Sequence, residues 1–169
     1  VNDKIYAGGI GNIVRLNADG SIDSSFVFPE ADFSQATIQD IKISGTTNDL
    51  YVAGIFEGLN TNTEYLLYRL NADGSIDNTF TTPQLGSGFY ALSIEIQSDE
   101  KVILGGRFEN IVEPSNSINR DIRGLIRLNA DGTFDDTFNP DQFINEPEGI
   151  DEDANFPGDV RSLSLDNDG

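Results

Sequence analysis

The 169 residues carry 29 acidic against 10 basic side chains, a formal charge of −19, and contain no histidine, cysteine, methionine or tryptophan. This balance argues against phosphate backbones and anionic membrane surfaces as partners, because both call for clustered Lys and Arg; nucleic acid is set aside. Without Cys and His the chain lacks disulfides, thiolate sites, the commonest general base and the commonest transition-metal ligand.

In chain order, the first segment is Lys4-Ile5-Tyr6-Ala7-Gly8-Gly9, which reads as the second half of a hairpin. Alternation of apolar and polar residues then predicts strands at 41–43, 50–56, 65–70, 91–96, 102–108, 124–128 and 160–165. No stretch of a dozen residues keeps a helical period, and no run of about 18 apolar residues or signal peptide marks a membrane span or leader. Asp-Gly turns stand at Asp19, Asp73 and Asp131, and 98–101 forms a short polar hairpin loop. Longer loops are expected at 57–64, 109–123 and 142–159; the acidic stretch 146–153 reads as solvated.

One motif occurs three times. Arg15-Leu16-Asn17-Ala18-Asp19-Gly20-Ser21-Ile22-Asp23-Ser24-Ser25-Phe26 returns from Arg69 to Phe80 and from Arg127 to Phe138, with RLNADG identical in each copy. The spacings are 54 and 58 residues, suited to a strand-rich unit. The chain closes on Leu163-Ser164-Leu165-Asp166-Asn167-Asp168-Gly169, the first half of the hairpin block whose second half opens it. Residues 160–169 and 1–12 are therefore expected to complete one unit, so that 1–169 holds three repeats of about 57 residues cut inside a hairpin. A start at Val1 without Met suggests a processed or excerpted chain.

Four short antiparallel strands per unit, the fourth following the Asp-Gly turn, is the signature of a propeller blade. The pattern R-L-N-x-D-G-S-hydrophobic-D-x-x-F, joined to a hairpin ending in G-G-x-F, resembles the delta-60 repeat, a bacterial and viral repeat of β-propeller type. The likeness covers essentially the whole chain. It departs at Gly9-Ile10-Gly11-Asn12, where the expected phenylalanine and a long loop are missing. The resemblance implies an all-β, propeller-like array in an extracellular, cell-surface or virion-surface protein. It implies no reaction, since such repeats are scaffolds.

The motif residues Arg15, Asn17, Asp19, Gly20 and Phe26 are the candidate site, with Arg69, Asn71, Asp73, Gly74 and Phe80, and Arg127, Asn129, Asp131, Gly132 and Phe138. Placed on a calcium loop with Gly20 at its sixth position, Asn17, Asp19 and Asp23 supply oxygens, but Arg15 and Phe26 occupy the two end ligands. The motif reads instead as a turn whose Asn and Asp cap backbone amides, whose Gly takes a positive φ, and whose Phe inserts between units. Each Arg is expected to pair with Asp23, Asp77 or Asp135 rather than with an anionic ligand. Gly8-Gly9 and Gly105-Gly106 end strands and open no helix, so close backbone packing is expected there rather than nucleotide binding. No catalytic residue, metal or cofactor is assigned.

The expected function is a non-enzymatic structural repeat protein, part of a fibre or filament, whose partners are copies of itself or adjacent repeats of a longer chain. The alternative is an adhesin that holds a glycan or protein through its variable loops, with Tyr65 and Phe143 as contact aromatics.

Overall fold

Each motif leucine closes a hairpin in the same register. In the computed structural model, which describes residues 3–57, 64–81, 84–85, 90–108, 111–112, 119–120, 124–138 and 159–166, Leu16 faces Ile5, Leu70 faces Leu50 and Leu128 faces Val102. The strand pairs are β1 (Ile5–Gly8) with β2 (Ile13–Leu16), β4 (Leu50–Glu57) with β5 (Glu64–Leu70), and β8 (Val102–Arg107) with β11 (Leu125–Leu128). A further strand lies on the other edge of two of these hairpins, β3 (Thr37–Ile43) beside β4 and β7 (Tyr90–Ile96) beside β8. All pairings are antiparallel, as the alternation and short connections require.

Among the described residues the strands fall into sheets of two, six and three. The expected fourth strand after the Asp-Gly turn shrinks to a single bridge, Leu16 to Ile22, Leu70 to Ile76 and Leu128 to Phe134. The middle sheet grows instead through β6 (Gln84–Leu85), β9 (Ile111–Val112) and β10 (Asn119–Arg120), giving the order β10-β9-β6-β5-β4-β3. Two-residue strands are too short to show alternation, so β9 and β10 fall within an expected loop. One turn of helix, α1 (Glu30–Phe33), is equally too short for a helical period, and it buries Phe33. No helix of the described residues is long and apolar enough to cross a membrane.

Residues 160–165 were expected as a strand but carry no ladder among the described residues. A strand is defined by its partner, and the backbone amides of this segment reach the Ser93 side chain and the Gly106 carbonyl of the third repeat, as described below. Of the expected variable loops, 58–63, 109–110, 113–118, 121–123 and 142–158 lie outside the described residues, and with them Phe143 and the side chain of Tyr65.

The core lies between the sheets in two clusters. Leu50 and Val52 of β4 join Ile13, Phe26, Phe33, Phe56 and Leu70, while Tyr51 and Ala53 join Leu66, Phe80, Ile94, Leu104, Ile126 and Phe134. Successive β4 residues point to opposite faces, so this strand is buried on both. The motif phenylalanines follow: Phe26 and Phe80 are buried, the latter edge-on to Tyr51 with ring centroids 5.8 Å apart, whereas Phe138 is half-buried. Phe80→Ala is expected to cost about 3–5 kcal/mol in chemical denaturation. Ile22→Ala, at a side chain 72% exposed, should cost less than about 0.5 kcal/mol.

Candidate functional site at the junctions between repeats

The motif first folds its own turn. Asn17 N–H donates to the Ser21 carbonyl at 2.8 Å and Gly20 N–H to the Asn17 carbonyl at 2.9 Å, with Gly20 at φ 84°. Asp19 accepts both the Ser21 amide and hydroxyl, at 2.9 and 2.7 Å, while the Asn17 side-chain amide donates to Ser21 Oγ. The same bonds recur at Asn71, Asp73 and Ser75, and at Asn129, Asp131 and Thr133. Hydrogen bonds from Ser21, Ser75 and Thr133 hold the three Asp carboxyls below the usual carboxylate range. Among the described residues no three acidic side chains stand together as a metal site.

Across the base of each turn stands an Arg–Asp–hydroxyl–Phe node. Arg15 Nε donates to Asp23 at 2.8 Å, Arg69 Nε to Asp77 at 2.7 Å and Arg127 Nε to Asp135 at 2.7 Å. The second carboxylate oxygen accepts the amide and hydroxyl two residues on, at Ser25, Thr79 and Thr137. Each guanidinium also lies over its phenylalanine ring, 5.1 Å from the Phe26 centroid and 4.8 Å from those of Phe80 and Phe138. A second cation reaches two of the nodes: Lys4 pairs with Asp23 at 2.8 Å and Lys101 with Asp135 at 3.0 Å. The equivalent position in the second repeat is Asp49, so the motif alone does not reveal these lysines; their place just before β1 and β8 does.

These contacts set the carboxyls. The Lys4 ammonium, then the Ser25 hydroxyl and amide, hold Asp23 well below the usual carboxylate range, and the Thr137 hydroxyl and Lys101 do the same for Asp135. At Asp77 burial pushes upward but is outweighed by Thr79 and Arg69, so this carboxyl too lies low. Such groups add stability above the unfolded carboxyl pKa, about 3.9, and lose it as pH falls through their folded values.

What the motif sequence does not show is that the first two nodes each grip the following repeat. Arg15 Nη1 donates 2.6 Å to the carbonyl of Ala72, inside the second turn, and Arg69 Nη1 donates 2.7 Å to that of Ala130, inside the third. Backbone amides add to the grip, Val27 N–H to the Asp73 carbonyl and Thr81 N–H to the Asp131 carbonyl, both at 2.8 Å. The docked glycines sit hard against the preceding repeat: a Cβ on Gly74 would lie 2.7 Å from the Val27 carbonyl oxygen, and one on Gly132 would strike that of Thr81. A Cβ on Gly20 would meet nothing within 4 Å. Ser25, Val27, Pro29, Asp73, Ser75, Ile76 and Asn78 line an open groove of about 720 Å³ along the first of these junctions.

A second contact repeats along the hairpins. Ile94 N–H of β7 donates to Asp40 of β3 at 2.9 Å, and Leu163 N–H donates to Ser93, which holds the Asp40 position in β7, at 3.1 Å. Ile38 N–H reaches the Gly9 carbonyl at 3.0 Å, as Val160 N–H reaches that of Gly106 at 3.2 Å. Residue sizes match across the contact. Gly8 makes room for Ile38 and Gly105 for Val160, where an added Cβ would come within 2.8 and 2.6 Å, while Ala53 and Ala91 share one core cluster. Residues 160–165 thus sit on the third repeat as β3 sits on the first.

Two measurements probe this arrangement. Gly74→Asn should lower stability by about 2 kcal/mol or more in urea unfolding, through the clash with Val27, while Gly20→Asn should cost no more than about 1 kcal/mol, the strain of a positive φ that Asn bears better than most side chains, because its side chain meets nothing there. Stability should fall as pH drops below about 4, and Asp77→Asn, less stable at neutral pH, should show a shallower fall in melts taken between pH 7 and pH 2.

The model of a family described as "Domain of unknown function (DUF5122) beta-propeller" matches residues 2–26, 47–80 and 97–138, more than half of the chain. No curated protein and no solved structure matches it. The three matched stretches end on Phe26, Phe80 and Phe138, the residues that close the three nodes, and the chain belongs to this beta-propeller family of unknown function.

Proposed function

We propose that the chain is a non-enzymatic structural module of four-stranded units, which joins further repeats by pairing residues 160–165 with β1 of a neighbouring copy or an adjacent repeat. The observation that carries this reading is the seating of residues 160–165. Their contacts to Ser93 and Gly106 repeat those that β7 and β3 make to the unit before them, while β1 pairs only with β2 among the described residues. An edge with free N–H and C=O groups is a template for another strand. The resemblance to the delta-60 repeat supports placement outside the cell or on a virion, and the acidic surface suits a protein that stays dispersed until its ends meet. The junction groove, lined by hydroxyl, amide and carboxylate groups, supports a second reading as a glycan-binding adhesin.

The two hairpins that have all three strands predict the register of the join. Ile43 faces Leu50 and Ile41 faces Val52, as Ile96 faces Val102 and Ile94 faces Leu104. The corresponding pairs are Leu165 with Ile5 and Leu163 with Ala7. Leu163 N–H already points to Ser93, so Leu163 and Ala7 would form a non-hydrogen-bonded pair, with Cα atoms about 4.5 Å apart and close enough for a disulfide. The chain has no cysteine of its own. A mixture of Ala7→Cys and Leu163→Cys chains should therefore yield an oxidised heterodimer on a non-reducing gel, well above the yield from Ala7→Cys mixed with Ser164→Cys. Equal yields from both mixtures would refute the register, and no cross-linking from either would refute the pairing. Saturable binding to a glycan array would favour the adhesin.

A further inference from the structure

Three copies of one turn, identical over RLNADG, stand in two different environments. Gly74 and Gly132 are buried, Ile76 is half-buried and Phe134 is only 7% exposed, because the node of the preceding repeat covers each of these turns. In the first copy Gly20 is open and Ile22 is 72% exposed. The receiving side shows the converse difference. Arg15 and Arg69 each spend Nη1 on a carbonyl of the next turn, whereas Arg127 Nη1 reaches the Gln97 side chain at 3.4 Å, a long contact. Its bonds to Asp135 and Thr137 and its place over Phe138 are otherwise those of the other two arginines.

We propose that the uncovered turn 17–21 is a plug for the Arg127 node of a second copy of this chain, with Arg127 Nη1 donating to the Ala18 carbonyl. The occupant is specified by the two junctions already inside the chain. The node takes a peptide carbonyl from the alanine of an Asn-Ala-Asp-Gly turn, and it requires a residue without a Cβ two positions later, since a Cβ on Gly74 or Gly132 would strike the preceding repeat. The first turn meets both conditions and exposes an apolar Ile22 at the position that is covered in the other two copies. Because plug and socket are different surfaces, the contact is head-to-tail and can propagate from copy to copy. The inference rests on the end-to-end joining proposed above and assigns part of its specificity to this clasp; the strand pairing alone would accept any compatible edge.

Light scattering and sedimentation of the full chain over a range of concentrations test it. The parent should associate beyond its 18.4 kDa monomer mass. Gly20→Asn removes the plug and Arg127→Ala the socket, and each alone should weaken association about tenfold or more, the worth of one charge-assisted hydrogen bond or one backbone clash. Arg127→Lys, which keeps a cation beside Asp135 but lacks the fork that spans two acceptors, guards against a folding defect and should associate as poorly as Arg127→Ala. The decisive arm is an equimolar mixture of Gly20→Asn and Arg127→Lys chains. It retains one intact plug and one intact socket, so it should form a heterodimer with near-parental affinity and stop there. Parental association by Gly20→Asn alone, or a mixture no tighter than its components, would overturn the clasp; if the Ala7–Leu163 cross-link still forms, the strand-pairing reading survives that failure. A parent that stays monomeric at all concentrations and forms no cross-link would overturn both.

Discussion

Leu50 and Val52 leave β4 on one side and Tyr51 and Ala53 on the other, and all four side chains are almost wholly inaccessible to water. A strand with two apolar faces needs a layer on each. The sheet that contains it therefore has to lie between two others, and this requirement makes the chain an array rather than a single sheet with a wet back. Burying one large apolar side chain contributes about 1.5–3 kcal/mol, so the two clusters, rather than any polar contact, hold the repeats together.

Polar contacts decide instead how the layers meet. An exposed ion pair contributes about 0.2–1 kcal/mol, and the Arg–Asp pairs, largely shielded with side-chain exposures of 11% and 10% at Arg15 and Asp23, give back part of any larger attraction as the desolvation of both ions. Their effect on geometry is larger than that figure suggests. One guanidinium is held by a carboxylate, a hydroxyl and an aromatic face at once, which leaves Nη1 aimed at a single point, the carbonyl of the next turn. Arginine supplies that planar fork; a lysine at the same place would satisfy the carboxylate and lose the aim. The glycine two residues beyond the accepting carbonyl allows the backbones to approach as closely as they do.

The pairing of sizes at the hairpin contact shows the same division. Gly8 against Ile38, Gly105 against Val160 and Ala53 with Ala91 keep the combined volume between neighbouring repeats roughly constant while the individual residues change. Close-packed interiors tolerate such exchange when volume is conserved. It explains why two of the three repeats carry Gly-Gly at this contact, 8–9 and 105–106, and the other carries Ala53-Gly54.

The local sequence determined what local forces control. Alternation placed β4, β5, β7 and β8; the Asn, Asp and Gly of RLNADG define the turn, and the eight-residue interval from Arg to Asp brings the ion pair together across it. Neither β6, β9 and β10 nor helix α1 could be read in this way, since two to four residues contain no period. The environment of the turn was equally hidden. Asn17-Ala18-Asp19-Gly20 and Asn71-Ala72-Asp73-Gly74 are the same four letters folded by the same bonds, yet one glycine is open and the other is pressed against Val27. Hydrogen bonds between residues two to four apart are written into the motif itself; burial depends on which repeat lies alongside, and that only the tertiary structure decided.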